Sequence, residues 1–320
     1  MNLNYRTKHR GTTLTELLVA LALATSLLAI CLQLFLSTRA TATLSHDITD
    51  AADSGRFALR EINDDARRAG FLGLYSRDYS ELANNVTATT ECRLSEFLAR
   101  QLNNAITGYH TDPTRAHDVS LQPCLRLKMF AGGDVVTLSY GLISNSVTAN
   151  PLQYFALTAL DQLRVARGNN VDTAPLQTSL PLEAISNTYY ISYASDDTST
   201  SACPNDRKPT LRRIGLTRSG TLRDDELVRG IEKLQLLYGV DDNADKNVDR
   251  YVDSAAVSDW TRVYALRIWL AARAECADPS YHDTHSYIFG EHVYTPNDHF
   301  RRQIFSTTVR LIGRKGTLAS

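Results

Sequence analysis

From Leu17 to Leu36 the chain carries no charged side chain, and only Thr25, Ser26 and Gln33 break the apolar run with polar groups. At about 1.5 Å per residue these positions span roughly 30 Å, the thickness of a bilayer's hydrocarbon core. The pattern then changes. Between Ser37 and Ala69 there is no proline, and Gly55 is the one glycine. Phe57, Leu59, Ile62, Ala66 and Ala69 recur at helical spacing among Arg56, Arg60, Glu61, Asp64, Asp65, Arg67 and Arg68, which predicts an amphipathic continuation. One continuous or nearly continuous helix is expected from about Leu14 to Ala69. Its first half suits a membrane and its second half suits one face of a globular domain. Gly70 fits the left-handed position that closes such a helix.

Beyond about Gly73 the chain reads as irregular to Pro123, with a short helix expected from Glu91 to Ala105 on Leu94, Leu98 and Leu102. Period-two patterns follow. Leu125–Phe130 and Val135–Tyr140 flank Ala131-Gly132-Gly133-Asp134, which predicts a hairpin. Tyr189, Ile191 and Tyr193 share one face, and little is assignable between Ser144 and Ser186. Leu211–Thr217, Gly230–Tyr238, Arg262–Arg273 and Gln303–Gly313 read as strands. Tyr264, Leu266, Ile268 and Leu270 line one face of the third, and Phe305, Val309 and Leu311 that of the last. Hairpins with no long helices between them predict an antiparallel sheet, so the fold class expected is α+β: a long amino-terminal helix packed on an antiparallel β-sheet domain.

Composition adds bounds. The chain has 320 residues, 43% hydrophobic and 22% charged, with a formal net charge of −1. That is ordinary for a globular protein and argues against nucleic acid as a main partner. The leader Met1–Gly11 carries Arg6, Lys8 and Arg10 and no acid, so it stays cytoplasmic and everything past about Thr38 lies across the membrane. Of five cysteines, Cys31 lies in the apolar segment. Cys92, Cys124, Cys203 and Cys276 fall on the far side, where an oxidising compartment suggests two disulfides with three pairings open. Sequence order favours Cys92–Cys124 and Cys203–Cys276.

Asp241, Asn243, Asp245, Asn247 and Asp249 alternate, placing side-chain oxygens at the first, third, fifth, seventh and ninth positions of a calcium loop. Lys246 stands where that loop needs glycine, and Val252 stands where it needs a bidentate acid, with Asp253 next. The segment reads either as a calcium site or as a solvated acidic turn, so the cofactor expectation is none or calcium. His282, His285, His292 and His299 gather near the end without the spacing of a known zinc site. No phosphate-binding glycine loop, nucleophile elbow or dinucleotide fingerprint occurs, and no catalytic role is expected.

The stretch Arg10-Gly11-Thr12-Thr13-Leu14-Thr15-Glu16-Leu17-Leu18, a basic leader ending in glycine before an apolar run, resembles the class III signal of type IV prepilins and pseudopilins. The resemblance implies cleavage after Gly11 by a prepilin peptidase, N-methylation of Thr12, and Glu16 as the fifth mature residue. In that family this glutamate is thought to pair with a neighbouring subunit's amino terminus, here that of Thr12, during filament assembly. A carboxylate inside a membrane segment costs about 2.5–3.5 kcal/mol and is functional by default. Thr12 and Thr15 depart from the usual aromatic and aliphatic residues. Asp53–Phe71, Tyr238-Gly239-Val240-Asp241 and Asn297–Leu311 further resemble PilW-type minor pilins. The implied organisation is a leader over 1–11, a helix over 12–70 (transmembrane about 17–36, then amphipathic) and a periplasmic, mainly antiparallel sheet domain over 71–320. The implied role is type IV pilus assembly at the filament's priming stage or tip. The implied location is the inner membrane and then the pilus. Its partners would be other minor pilins, the major pilin, the prepilin peptidase and a tip adhesin. A minor pseudopilin of type II secretion is the alternative, followed by a membrane-anchored periplasmic adhesin or enzyme with a pilin-like anchor.

Overall fold

The structure, a computed structural model, describes residues 13–73, 101–102, 104–111, 119–122, 125–127, 133–143, 153–158, 163–167, 181–193, 203 and 208–312. The chain divides into two compact units, residues 1–49 and 50–320.

Helix α1, Leu14–Arg68, runs for 55 residues. In the first unit every side chain from Leu17 to Leu36 is exposed. The hydroxyls in this stretch turn inward on the helix itself. Thr25 donates to the Ala22 carbonyl at 3.0 Å, Ser26 to that of Leu23 at 2.9 Å, and both Ser37 and Thr38 to that of Leu34. Polar groups satisfied within their own helix are what a hydrocarbon solvent demands. Leu14–Arg39, 26 residues, is long and apolar enough to cross a membrane.

In the second unit the same helix has a buried face. Ala51, Gly55, Ala58, Ile62, Ala66 and Ala69 are buried, spaced three or four residues apart as a core-facing stripe requires. Small residues dominate because the sheet lies close. At Gly55 a Cβ would fall 2.2 Å from Phe305 Cε2. The helix closes as expected: Gly70 is left-handed at φ 83°, and its N–H donates to the Ser139 carbonyl at 2.8 Å.

Two antiparallel sheets receive this helix. The larger holds β1 (Ile106–Thr111), β4 (Gly133–Ile143), β7 (Pro181–Tyr193), β5 (Tyr154–Thr158) and β6 (Leu163–Arg167) in that spatial order. Beside β7 lie β8 (Pro209–Leu216) and then β9 (Leu222–Arg229). A separate ribbon pairs β2 (Val119–Gln122) with β3 (Leu125–Leu127). The smaller sheet runs β11 (Arg250–Val252), β10 (Ile231–Val240), β12 (Val263–Arg273), β15 (Arg302–Arg310). A hairpin of β13 (Tyr287–Phe289) and β14 (His292–Tyr294) completes the set. The α+β class is as the sequence predicts. Leu236, Leu266, Ile268 and Leu270 from the smaller sheet and Val136, Leu138, Tyr189 and Ile191 from the larger share one core with Ala58 and Ile62 of α1.

Three expectations change. Among the described residues the hairpin expected across Ala131–Asp134 is absent: β3 pairs with β2, while β4 pairs with β1 and β7. The strand after the Gly-Gly-Asp signal is buried along Gly133–Gly141, so both its edges are taken by other strands. Strand β9 was not foreseen, since Arg223, Asp224, Asp225, Glu226 and Arg229 give it the composition of a loop. The unassigned stretch between Ser144 and Ser186 contains β5, β6 and the start of β7. Of the short helix expected over 91–105, residues 91–100 lie outside the described residues; Gln101, Leu102 and Asn104 are helical.

Cys203 and Cys276 are bonded, with 5.5 Å between their Cα atoms and a sequence separation of 73. Closing a loop of that length stabilises the fold by about 4 kcal/mol in the chain-entropy model. Cys92 and Cys124 lie outside the described residues.

Candidate functional site

At the head of α1 the sequence Thr13-Leu14-Thr15-Glu16 folds as a capping box. The Thr13 N–H donates to Glu16 Oε2 at 2.9 Å, and the Glu16 N–H donates to Thr13 Oγ1 at 3.3 Å. Two of the amides that the first helical turn leaves without partners are thereby satisfied, and the carboxylate sits at the positive end of the helix. Gly11 and Thr12 lie outside the described residues. Cys31 is free and exposed.

The acidic segment after β10 folds around Asp241, which is buried. Asp241 Oδ1 accepts the N–H groups of Asn243 and Ala244, and Oδ2 accepts that of Lys246 at 2.7 Å. Asn243 accepts from the Asp245 amide and Asp245 from the Asn247 amide. Asp249 accepts from the Asp242 amide. Lys246 adopts the left-handed conformation (φ 68°) that a calcium loop assigns to glycine at this position. The sixth-position bend is present without glycine, but the closing ligand is not: Val252 stands at the twelfth position, and the Asp253 carboxylate faces His292 Nε2 at 3.2 Å. Among the described residues no group of three or more His, Cys, Asp or Glu side chains is placed to hold a metal ion. The four late histidines do not converge. His282 pairs with His299 at 5.2 Å between ring centroids, and His285 hydrogen-bonds Asp283 at 3.0 Å. His292 stacks at 5.6 Å on His110, which the sequence patterns did not single out.

Three buried charges that no linear motif announces hold the sheet domain together. Asp65, on the buried side of α1, accepts Tyr189 Oη at 2.6 Å, Tyr140 Oη at 2.7 Å and Asn187 Nδ2 at 2.7 Å. Burial and the Asp65 carboxylate push both tyrosine pKa values up, so the hydroxyls stay protonated and keep donating. Asp134, at the start of β4, joins the two sheets. It accepts the Leu236 N–H at 2.6 Å and Gln235 Nε2 at 2.7 Å from β10, and meets His110 Nδ1 at 2.5 Å from β1. That hydrogen bond raises the His110 pKa, and burial raises that of Asp134. Arg302, 1% exposed at its side chain, reaches Glu232 at 2.7 Å, Asp298 at 2.5 Å and Asp283 at 3.1 Å. Burial opposes its charge, but the bonds to Asp298 and Glu232 outweigh burial and raise its pKa. Only the non-random burial of a charged residue marks such groups, and burial is not visible in a linear pattern. One buried hydroxyl, that of Tyr238, has no partner among the described residues. It lies where a Gly108 Cβ would stand, at 1.8 Å.

A cavity of about 350 Å³ opens beside α1 between Asp50, Lys208, Arg229, Arg273 and Glu275. Its charges oppose one another, and Lys208 pairs with Glu275, so it carries no strong preference for either sign.

Residues 188–312 match the family model described as Type IV Pilus-assembly protein W. The match begins within β7 and runs just past β15, covering the whole of the smaller sheet. No curated protein matches the chain. Among solved structures the chain is similar to a type IV-like pilin from Thermus thermophilus, at 14% identity and a TM-score of 0.26, covering 57% of this chain and 78% of that one.

Proposed function

We propose that this chain is a minor pilin of the PilW type, working in type IV pilus assembly. The observation that carries the reading is the PilW match over residues 188–312, in a chain whose amino-terminal helix includes a membrane-length apolar stretch, Leu14–Arg39. The chain is made with a leader, is cut after Gly11 and is methylated at Thr12. The helix then holds it in the inner membrane with the sheet domain in the periplasm. There it joins other minor pilins, primes the filament and stays near the tip, with the major pilin polymerising beneath.

Glu16 has a specific part in this scheme. As a member of the capping box it is held at the helix head, and on docking it exchanges the Thr13 amide for the amino terminus of a neighbouring subunit. Such a pair sets register more than it adds stability, because desolvation offsets most of the attraction. Replacing Glu16 by Ala is expected to leave leader removal largely intact while lowering recovery of the protein in sheared filaments at least tenfold. Recovery at the wild-type level sinks the assigned role of Glu16. Intact mass from membranes with and without prepilin peptidase tests the premise: a methylated chain starting at Thr12 is expected only with the peptidase. A deletion strain that secretes normally but loses pili and twitching supports the pilus, and the reverse outcome assigns the protein to type II secretion.

A further inference from the structure

The smaller sheet ends in a strand that lacks the usual protection of a sheet edge. Among the described residues β15 pairs with β12 alone, through an unbroken antiparallel register from Ala265↔Arg310 to Arg273↔Arg302. The Leu311 N–H donates to the Tyr264 carbonyl and the Arg301 carbonyl accepts from Ala274. In an antiparallel ladder both peptide groups of a residue point the same way, alternating along the strand. Odd-numbered residues therefore face β12, and Ile304, Ser306 and Thr308 turn their N–H and C=O groups outward.

Native edges are normally blunted by charges, proline or a bulge. Strand β9, an edge of the larger sheet, follows that rule with Arg223, Asp224, Asp225, Glu226 and Arg229. Strand β15 has no charge between Arg302 and Arg310, no proline and no register shift. Ile304, Ser306 and Thr308 are exposed. The inward residues Phe305 and Val309 hold the strand on the core, so the edge is firm as well as open.

Charge selects the occupant. Arg302 is enclosed by Glu232, Asp283 and Asp298. At the other end Arg310 donates to the Lys246 carbonyl, and Arg267, one strand in, donates to Thr308 Oγ1 with its guanidinium stacked on Tyr251, neither meeting a carboxylate in these contacts. A second copy of β15 adding antiparallel about Ser306 would set each Arg310 opposite the other's Arg302, a buried side chain whose surrounding carboxylates it already engages, so the pairing offers Arg310 no free acid. We infer that the outer edge of β15 is a docking site for an extended strand of a partner protein, uncharged at its centre and acidic where it meets Arg310 and Arg267. Backbone hydrogen bonds supply the affinity, and the basic end supplies the choice. This chemistry stands whether or not the chain works in a pilus.

The test uses the full chain in detergent micelles and two synthetic peptides, Glu-Thr-Val-Thr-Val-Thr-Glu and its Lys-ended counterpart. Amide exchange is read residue by residue by mass spectrometry. The amides of Ile304, Ser306 and Thr308 are expected to exchange rapidly in the chain alone and to slow at least tenfold with the acidic peptide. The acidic peptide should bind at least ten times more tightly than the basic one, and Arg310→Glu should reverse that order. Ser306→Pro removes an outward N–H that β12 does not use, so it should keep the fold and abolish peptide binding. Thr308→Lys, placing a charge on the edge, should weaken the acidic peptide's protection of Ser306 with the same fold. Slow exchange of these amides in the peptide-free chain, undiminished binding to Ser306→Pro, or no binding of either peptide at millimolar concentration would overturn the inference. So would concentration-dependent self-protection of β15, which would make the occupant a second copy.

Discussion

The two ends of α1 share one secondary structure and differ in what covers them. From Leu17 to Leu36 its side chains are exposed and mostly leucine and alanine, with the Thr25 and Ser26 hydroxyls turned inward. From Ala51 to Ala69 one face is buried and built from alanine, glycine and one isoleucine, with Asp65 as its single charge. Helical propensity does not separate these stretches; the partner each meets does. The first holds large apolar groups on all sides, the pattern a membrane-spanning helix needs. The second holds small groups because a sheet approaches closely and only one stripe is covered. A charge is tolerated there because three donors converge on it.

The sharpest way to break this contrast is Asp65→Ala. It leaves the hydroxyls of Tyr140 and Tyr189 and the amide of Asn187 without their acceptor, at a cost of about 3–5 kcal/mol, as expected for breaking a buried charged network. Urea unfolding of the full chain in micelles, followed by the circular dichroism of the sheet, measures it.

A smaller effect comes from the junction between the sheets. His110 has its pKa raised by the hydrogen bond to Asp134, with Asp253 adding to the rise and burial and Lys233 opposing it. A raised folded-state pKa gives stability that is complete below the unfolded value of about 6.5. That stability is lost as the pH climbs through the folded value. The domain should thus be more stable at the acidic side of neutrality than at mildly alkaline pH. His110→Gln should flatten the urea midpoint over that window, and an unchanged slope would remove His110 from the account. The smallest effect belongs to the exposed half: Leu27, 61% exposed, should change the sheet domain's unfolding free energy by less than about 0.5 kcal/mol when replaced by Ala. A larger change would mean that this half does pack on protein.

Much of this organisation is legible along the chain. The apolar run, the helical spacing of Ile62, Ala66 and Ala69, and Gly70 as the closing residue all depend on interactions within a few residues, so local pattern reports them. The faces of β12 and β15 follow for the same reason, since period two is a property of a strand on one core. Strand β9 escaped because an edge strand defended by charges has the composition of a loop. The Gly-Gly-Asp turn signal misled because Asp134 is not a turn residue at all; its carboxylate is spent on Leu236, Gln235 and His110.

The sequence by itself determined the membrane-length helix, its amphipathic continuation and the antiparallel class, all written in neighbours no more than a few residues apart. Only the tertiary structure decided which strands are neighbours, that Cys203 and Cys276 meet across a sequence separation of 73, and that Asp65, Asp134 and Arg302 are buried with partners. Those outcomes rest on contacts distant in sequence. Whether a charged side chain becomes a solvated surface group or a buried tie depends on what the rest of the chain brings to it.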